Sequence, residues 1–305
     1  MTDPITLNNQ FAIPNLATFD AGKGGLTRLT LKSPAATAEV YLHGAHVTRF
    51  DPRDQPPVLF MSALSHFQPG KAIRGGVPIC FPWFGPKAPD TKTADAQAPA
   101  HGFARLMEWN VDSVTALKTG ASVVLSLASS PETKTLWPAD FSAKYTVTAA
   151  EQLTLSLAVT NTGTTPAKFE EALHTYLSIG DIEAVSIEGL ANATYLDKMN
   201  AATPTAQDDP LIRFTAETDR VYLDTQSACT VRDPALGRQI RIAKTGSHTT
   251  VIWNPWIAKA KAMSDFGDSE WPAMVCVETC NVADYAITLA PGATHTLTAT
   301  IATLR

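Results

Sequence analysis

Two ionisable residues, His174 and Glu278, each lie in the middle of a segment that otherwise has the composition of a protein interior. The segments are Phe169-Glu-Glu-Ala-Leu-His-Thr-Tyr-Leu-Ser-Ile179 and Met274-Val-Cys-Val-Glu-Thr-Cys280. Charged side chains are rarely buried without a partner, because desolvation is costly. Burial and neighbouring groups can bring both pKa values towards neutrality, so this pair suits proton transfer. On this pattern alone, two unrelated core residues with local partners are an equally open interpretation.

A second candidate segment, residues 72–86, joins an arginine to a run of apolar and aromatic side chains. Its three prolines exclude a helix, because each removes a backbone donor. Gly75 and Gly76 permit a tight bend or a close approach of the backbone. We expect this irregular segment to form the wall of a pocket. Arg74, beside the glycines, is either an anion contact or a surface arginine next to a turn.

His101 and Arg105 form a third candidate group, because loops that enter a rigid scaffold commonly carry binding residues. Together with Arg74 they could converge on an anion, and the planar guanidinium group matches phosphate geometry. The nucleotide-binding fingerprints are absent from the sequence, which favours a small phosphorylated metabolite. Asp219, in the polar cluster 217–220, is a candidate acceptor for a sugar hydroxyl, with a simple turn as the alternative.

The cysteines and paired histidines do not predict a metal site or a cofactor. Cys276 and Cys280 would lie about 13 Å apart on a strand, too far for one zinc ion or one disulfide. The same spacing places both thiols on one face of the strand together with Glu278. His43 and His46 could offer two ligands, but the sequence indicates no third ligand nearby.

Composition excludes several classes of protein. The chain has 305 residues, 45% of them hydrophobic and 17% charged, with a net charge of −5. This is ample material for a core, and no basic run indicates a nucleic-acid partner. The first ten residues lack a signal-peptide pattern, and no apolar stretch approaches the roughly 20 residues of a membrane span. We therefore expect a monomeric cytoplasmic protein with a small-molecule substrate and no membrane or nucleic-acid partner.

Two-residue periodicity dominates the middle and the end of the chain. Segments 122–128, 142–148, 152–160 and 294–301 alternate apolar and polar residues, as half-buried strands do. Amphipathic helical windows are nearly absent, and residues 86–99 are predicted to form a long surface loop. No segment has the composition of an interdomain linker. The sequence thus predicts an all-β antiparallel sandwich, with residues 1–305 in one domain.

Six motifs, taken in order, resemble the hexose-6-phosphate mutarotases, the glucose-6-phosphate 1-epimerase branch of the aldose 1-epimerase superfamily. The resemblance extends from about Gly44 to Val282. The motifs are Ile73-Arg-Gly-Gly-Val-Pro78, Phe81-Pro-Trp-Phe-Gly85, His101-Gly-Phe-Ala-Arg105, Leu173-His-Thr-Tyr176, Glu217-Thr-Asp-Arg220 and Val277-Glu-Thr279. This resemblance implies a galactose-mutarotase-like β-sandwich (a supersandwich) that acts as a cofactor-free isomerase on the anomers of glucose 6-phosphate.

The resemblance also implies roles for individual residues. His174 and Glu278 resemble the catalytic pair of the family, with Glu278 as the base and protonated His174 as the acid. Arg74 and Arg105 resemble residues that bind the substrate and its phosphate.

His101 and Asp219 correspond to residues that line the sugar site of the family. Ala100 departs from the family pattern, because some members place a glutamine there, and alanine offers only its backbone. Three alternatives stay open: an epimerase of unphosphorylated sugars, a non-catalytic sugar-binding protein, and a glycosidase that pairs Glu278 with Asp219.

Overall fold

A computed structural model describes residues 3–87 and 98–304. Within these residues the helices are α1 (Pro4–Phe11), α2 (Pro131–Leu136) and α3 (Trp256–Ala262). The strands are β1 (Ala17–Ala21), β2 (Thr27–Lys32), β3 (Ala36–Tyr41), β4 (His46–Pro52), β5 (Ile79–Cys80), β6 (Asn110–Ala116), β7 (Ala121–Ala128), β8 (Phe141–Ala149), β9 (Leu153–Asn161), β10 (Ala167–Phe169), β11 (Glu171–Leu173), β12 (Tyr176–Ser178), β13 (Ser186–Glu188), β14 (Thr194–Asp197), β15 (Thr203–Ala206), β16 (Thr218–Tyr222), β17 (Cys229–Asp233), β18 (Arg238–Thr245), β19 (Thr249–Asn254), β20 (Met274–Asn281), β21 (Ile287–Leu289) and β22 (Thr294–Leu304). Short 3₁₀ turns occur at Lys23–Gly25, Ala104–Leu106, Lys198–Asn200, Trp271–Ala273 and Ala283–Tyr285.

The strands predicted from periodicity are confirmed. The four predicted segments coincide with β7, β8, β9 and β22 to within three residues at each end. In β7, Val123 and Leu125 are fully buried, whereas Ser122 and Ser126 are partly exposed. This alternation follows from the pleat, which points successive side chains to opposite faces of the sheet. Most of the predicted loop 86–99, residues 88–97, lies outside the described residues.

Two eight-stranded sheets dominate the fold. The β20 sheet has the order β15-β14-β16-β19-β20-β11-β5, and β12 also pairs with β20. The β9 sheet has the order β13-β17-β18-β22-β9-β8-β7-β6. Smaller sheets are formed by β1–β4 and by β10 with β21. In the described part of the chain, every ladder between these strands is antiparallel.

The main core lies between the two large sheets. Val275 and Val277 of β20 belong to the same buried cluster as Leu155 and Leu157 of β9. Two antiparallel sheets that share one core form a sandwich, so the predicted all-β antiparallel sandwich is confirmed. No helix among residues 3–87 and 98–304 is long and apolar enough to cross a membrane.

A second hydrophobic cluster covers the opposite face of the β20 sheet. Its members include Tyr176, Val251, Trp253 and Cys276. Because both faces of this sheet are covered, all eight residues of β20 are buried. This explains why the β20 sequence is almost continuously apolar and why Glu278 stands out within it.

A buried polar contact joins the two large sheets at one end of the sandwich. Glu171 of β11 is fully buried, and its Oε1 lies 3.0 Å from Nε2 of His295 in β22. Asn281 Nδ2 donates to the same carboxylate oxygen at 2.9 Å. The hydrogen bond with Glu171 raises the pKa of His295 above its ordinary value of 6.5. The protonated form of His295 therefore stabilises the folded state.

We expect this contact to give a measurable pH dependence of stability. A histidine whose pKa is raised in the folded state adds most to the free energy of unfolding at pH values below its unfolded pKa. This stabilisation is lost as the pH rises through the folded pKa. Between pH 5 and pH 9, the free energy of unfolding of wild type, measured with urea, should fall by about 1 kcal/mol relative to that of His295→Gln. The control His66→Gln, outside this contact, should run parallel to wild type. If the free energy of unfolding changed equally with pH in wild type and in His295→Gln, the prediction would be contradicted.

Candidate active site

One cleft of about 460 Å³ collects the candidate residues from distant parts of the sequence. All six residues predicted from the sequence line it: Arg74, His101, Arg105, His174, Asp219 and Glu278. The cleft lies over the second hydrophobic cluster, on the face of the β20 sheet that points away from the main core. The structure thus brings the six residues together, while their chemical roles stay a prediction.

Strand register determines which side chains meet on this face. Residues directly opposite each other in antiparallel strands project to the same side of the sheet. Val251 is paired with Glu278, and Trp253 is paired with Cys276. Leu173 and Tyr176 are paired with Thr279 and Cys276 of the same strand, β20.

His174 lies in the gap between β11 and β12, and the continuing register places it directly opposite Glu278. Its backbone N–H donates to the carbonyl of Pro78 at 3.0 Å. The ring stacks on Tyr176, with centroids 4.7 Å apart and an interplanar angle of 11°. Trp253 meets the ring edge-on at 6.1 Å. These contacts fix the orientation of the imidazole.

The His174–Glu278 pair is in direct contact and almost fully buried. His174 Nε2 lies 3.3 Å from Glu278 Oε1, and the side chains are only 8% and 1% exposed. Burial, together with repulsion from Asp219, raises the pKa of Glu278 well above its ordinary value. Burial, together with the nearby His101, Arg105 and Arg74, lowers the pKa of His174 well below its ordinary value. Both shifts favour the uncharged form of the pair, with a proton on Glu278 and a neutral imidazole on His174.

Arg74 is held by two partners on the cleft wall. Its Nη1 donates to the hydroxyl of Tyr176 at 2.9 Å, and its Nη2 lies 3.1 Å from Asp265 Oδ2. The adjacent glycines allow this placement, because a Cβ on Gly76 would clash with the carbonyl of Val47. His46 Nε2 bonds the Gly75 carbonyl at 2.8 Å and fixes the same loop.

Arg105 is the cation of the cleft with unused hydrogen-bonding capacity. Its Nη2 donates to the Ala100 carbonyl at 2.7 Å, while its Nε is buried without a hydrogen-bond partner. Burial lowers the pKa of Arg105. Within the described residues, no carboxylate forms an ion pair with this guanidinium. Ala100, the departure from the family motif, thus contributes through its backbone.

The ring of His101 packs between Phe84 on the cleft wall and His174 of the pair. Its Nδ1 accepts from the backbone N–H of Gly85 at 3.3 Å, which leaves Nε2 as the protonated nitrogen of the neutral ring. Burial lowers the pKa of His101 to about 3. The ring centroid lies 5.6 Å from that of His174. His101 is therefore an uncharged hydrogen-bond donor at neutral pH.

Asp219 forms an ion pair with a residue that the sequence did not identify. Lys198 Nζ lies 3.6 Å from Asp219 Oδ1 and 4.9 Å from the centroid of the Phe84 ring. Lys259 of α3 also lines the cleft. Neither lysine has a local sequence signal of function, and only the fold brings them to the site.

Aromatic side chains form the walls between the charged groups. Phe84, from the predicted wall segment, packs edge-on against His101 with centroids 4.7 Å apart. Glu170 accepts the backbone N–H of Phe84 at 2.9 Å and fixes that wall. Trp253 and Tyr176 also line the cleft; Trp253 has no signal in the sequence, and Tyr176 appeared only as the last residue of a motif.

The predicted placement of Cys276, Glu278 and Cys280 on one face of a strand agrees with the register. A consequence was missed, however. Cys276, His174 and Glu278 each offer a possible metal-ligand atom, and these atoms lie within 4.8 Å of one another. The sequence alone indicates only a pairing of Cys276 with Cys280, because the residue opposite Glu278 depends on the register between strands.

The family model described as "Aldose 1-epimerase" matches residues 27–302. A protein of Cenchrus ciliaris named "Putative glucose-6-phosphate 1-epimerase" is 36% identical over 280 residues, covering 88% of this chain and 82% of that protein. A protein of Escherichia coli (strain K12) with the same name is 36% identical over 263 residues, covering 85% of this chain and 84% of that protein.

A solved structure is similar over nearly the whole fold. It is described as "a putative mutarotase" from Salmonella typhimurium and has a TM-score of 0.88 at 29% sequence identity. The alignment covers 97% of this chain and 96% of that one. The predicted galactose-mutarotase-like fold is therefore confirmed.

Replacement of Glu278 by glutamine should stabilise the fold. Because the folded pKa of Glu278 is raised, wild type loses stability as the pH rises above the ordinary value of 4.5. The glutamine side chain cannot ionise and can still donate to His174, so urea unfolding of Glu278→Gln at pH 7 should show a gain of about 0.5–2 kcal/mol.

The exposed Glu183 supplies the matched control for this measurement, since Glu183→Gln should change stability by less than about 0.5 kcal/mol. A Glu278→Gln protein less stable than wild type at pH 7 would show that the fold favours the carboxylate.

Proposed function

The chain belongs to the aldose 1-epimerase family, and we propose that it interconverts the α and β anomers of a hexose 6-phosphate, with glucose 6-phosphate as the representative substrate. The observation that carries this proposal is the buried His174–Glu278 pair, 3.3 Å apart, at a cleft that also holds Arg74 and Arg105. The names of the curated relatives supply the substrate class.

Interconversion of anomers needs one acid and one base at the same carbon. Ring opening removes the proton of the C1 hydroxyl and adds a proton to the ring oxygen. Rotation about the C1–C2 bond and closure on the other face complete the reaction. In this proposal Glu278 is the base and protonated His174 the acid, and the roles reverse on closure. Positioned proton transfer contributes roughly 10²–10⁴-fold per group.

The single proton of the pair is consistent with this cycle. Substrate binding should move that proton from Glu278 to His174, because a hydroxyl that donates to the carboxylate stabilises its charged form. The positive charges of Lys198 and Arg105 also lower the pKa of Glu278 and so oppose the effect of burial. Ring opening then returns the pair to its neutral form, which is the form that burial favours.

Arg105 is the group best suited to receive the phosphate. Arg74 already has Asp265, and Lys198 already has Asp219. Arg105 has a buried Nε without a partner and no carboxylate beside it among the described residues. An anion that accepts from this guanidinium would satisfy the donor, and charge-assisted contacts are roughly twice as strong as neutral ones. Arg74 supports the same anion from the opposite wall.

The remaining polar groups are assigned to the sugar hydroxyls. His101 offers a neutral Nε2–H, and Asp219 offers a carboxylate acceptor. The aromatic wall of Phe84 and Trp253 limits the space available and keeps water from the reacting carbon. The backbone of Ala100, already engaged by Arg105, makes no further contact in this proposal.

The decisive experiment is exchange NMR between the α and β anomeric protons of glucose 6-phosphate, with glucose and galactose run alongside. We expect enhanced exchange for the phosphate ester alone, and a loss of at least about 100-fold in the rate with Glu278→Gln at unchanged substrate affinity. Near-normal turnover by Glu278→Gln would refute its role as the base.

The three sugars also separate the alternatives. Equal enhancement for free sugars and the ester would place the protein among epimerases of unphosphorylated sugars. Binding without any enhancement would identify a sugar-binding protein that retains the fold without the reaction.

Phosphate recognition can be tested separately with Arg105→Ala. Loss of a charge-assisted contact should raise KM for glucose 6-phosphate about 10–100-fold with a smaller change in kcat. The exposed Arg53 provides the control, since Arg53→Ala should leave both constants unchanged. An unchanged KM for Arg105→Ala would exclude this guanidinium from phosphate binding.

A further inference from the structure

Cys276 lies behind the His174–Glu278 pair and has no part in the proposed reaction. Its thiol is fully buried, two residues from Glu278 along β20 and on the same face of the strand. His174, Cys276 and Glu278 present a nitrogen, a sulfur and an oxygen atom within 4.8 Å of one another. These are the three ligand types that zinc commonly takes in proteins.

The geometry of the pair is close to that of two zinc ligands. Ligands about 2.0–2.1 Å from a tetrahedral zinc ion lie about 3.3 Å from each other. His174 Nε2 and Glu278 Oε1 are 3.3 Å apart. The second carboxylate oxygen of Glu278, Oε2, is buried without a hydrogen-bond partner, so no other interaction of this atom opposes coordination.

We propose that His174, Cys276 and Glu278 form a binding site for Zn²⁺, reached through the cleft, and that the bound ion inhibits the enzyme. The ion enters from the side on which His174 and Glu278 line the cleft and meets the thiol of Cys276 behind them.

Charge balance makes such a complex compatible with burial. On binding, the thiol proton of Cys276 and the carboxyl proton of Glu278 pass to solvent, and His174 binds in its neutral form. One Zn²⁺ with one thiolate, one carboxylate and one neutral imidazole has no net charge. The desolvation cost of a buried charge is therefore avoided.

Inhibition follows because the ion occupies the atoms that would exchange protons with the sugar. Coordinated Nε2 cannot donate to the ring oxygen, and a coordinated carboxylate is a weak base. This consequence rests on the proposed function, whereas binding of the ion does not. Thiol-binding divalent ions should inhibit at low concentration, and Mg²⁺, which prefers oxygen ligands, should not.

The test is a titration of the full chain with Co²⁺, a spectroscopic substitute for Zn²⁺. We expect a near-ultraviolet thiolate-to-cobalt charge-transfer band at one equivalent, and displacement of Co²⁺ by Zn²⁺. Cys276→Ser should abolish the band, and Cys280→Ser, which changes the next thiol on the same face of β20, should retain it. Loss of a direct ligand should weaken Zn²⁺ binding at least about 10-fold, since even outer partners contribute that much.

Glu278→Gln is a second variant that retains both cysteines and so guards against a folding defect in Cys276→Ser. It should also weaken Zn²⁺ binding at least about 10-fold. Absence of the band in wild type, its persistence in Cys276→Ser, or its equal loss in Cys280→Ser would each overturn the site. Anomer exchange measured with and without Zn²⁺ then tests inhibition. The band and the exchange rate are independent, so a failed metal site and a failed enzyme assignment are distinguishable.

Discussion

Desolvation of the His174–Glu278 pair is the constraint on which the organisation of the cleft depends. Two ionisable groups held away from water are unfavourable unless they are paired, and here His174 Nε2 and Glu278 Oε1 lie 3.3 Å apart. The arrangement requires both side chains to be immobile, because a small displacement would leave one of them unpaired. The fold meets this requirement with a strand buried on both faces for Glu278 and with aromatic rings packed around His174.

Residues outside the pair hold the surrounding loops in place without taking part in the proposed chemistry. His46 fixes the glycine turn that carries Arg74, and Glu170 fixes the backbone of Phe84. Each of these polar side chains is buried or half-buried and bonds to backbone. They position the walls of the cleft, and the proposed proton transfer involves the residues that line it.

Of the two arginines that line the cleft, Arg105 is the one without a carboxylate partner among the described residues. Arg74 and Lys198 each have a carboxylate partner, so their charges are already neutralised in the free protein. A half-buried guanidinium whose Nε has no partner is less favourable than one with an anion bound beside it. This imbalance is the physical argument for a phosphorylated ligand, and it is independent of the names of the relatives. In the proposed zinc site, His174, Cys276 and Glu278 supply a nitrogen, a sulfur and an oxygen atom as metal ligands, which is a second kind of binding chemistry beside phosphate recognition.

The sequence by itself determined the strands and the candidate residues, because both leave local signals. Two-residue alternation reports one buried face, and Glu278 stands out in a segment that is otherwise apolar. Lys198, Trp253 and the proximity of Cys276 to His174 leave no such signal. They depend on the register between strands that are distant in the sequence, and a shift of one residue would turn each side chain to the opposite face. Only the tertiary structure fixes that register, because it results from packing the whole sheet against its core.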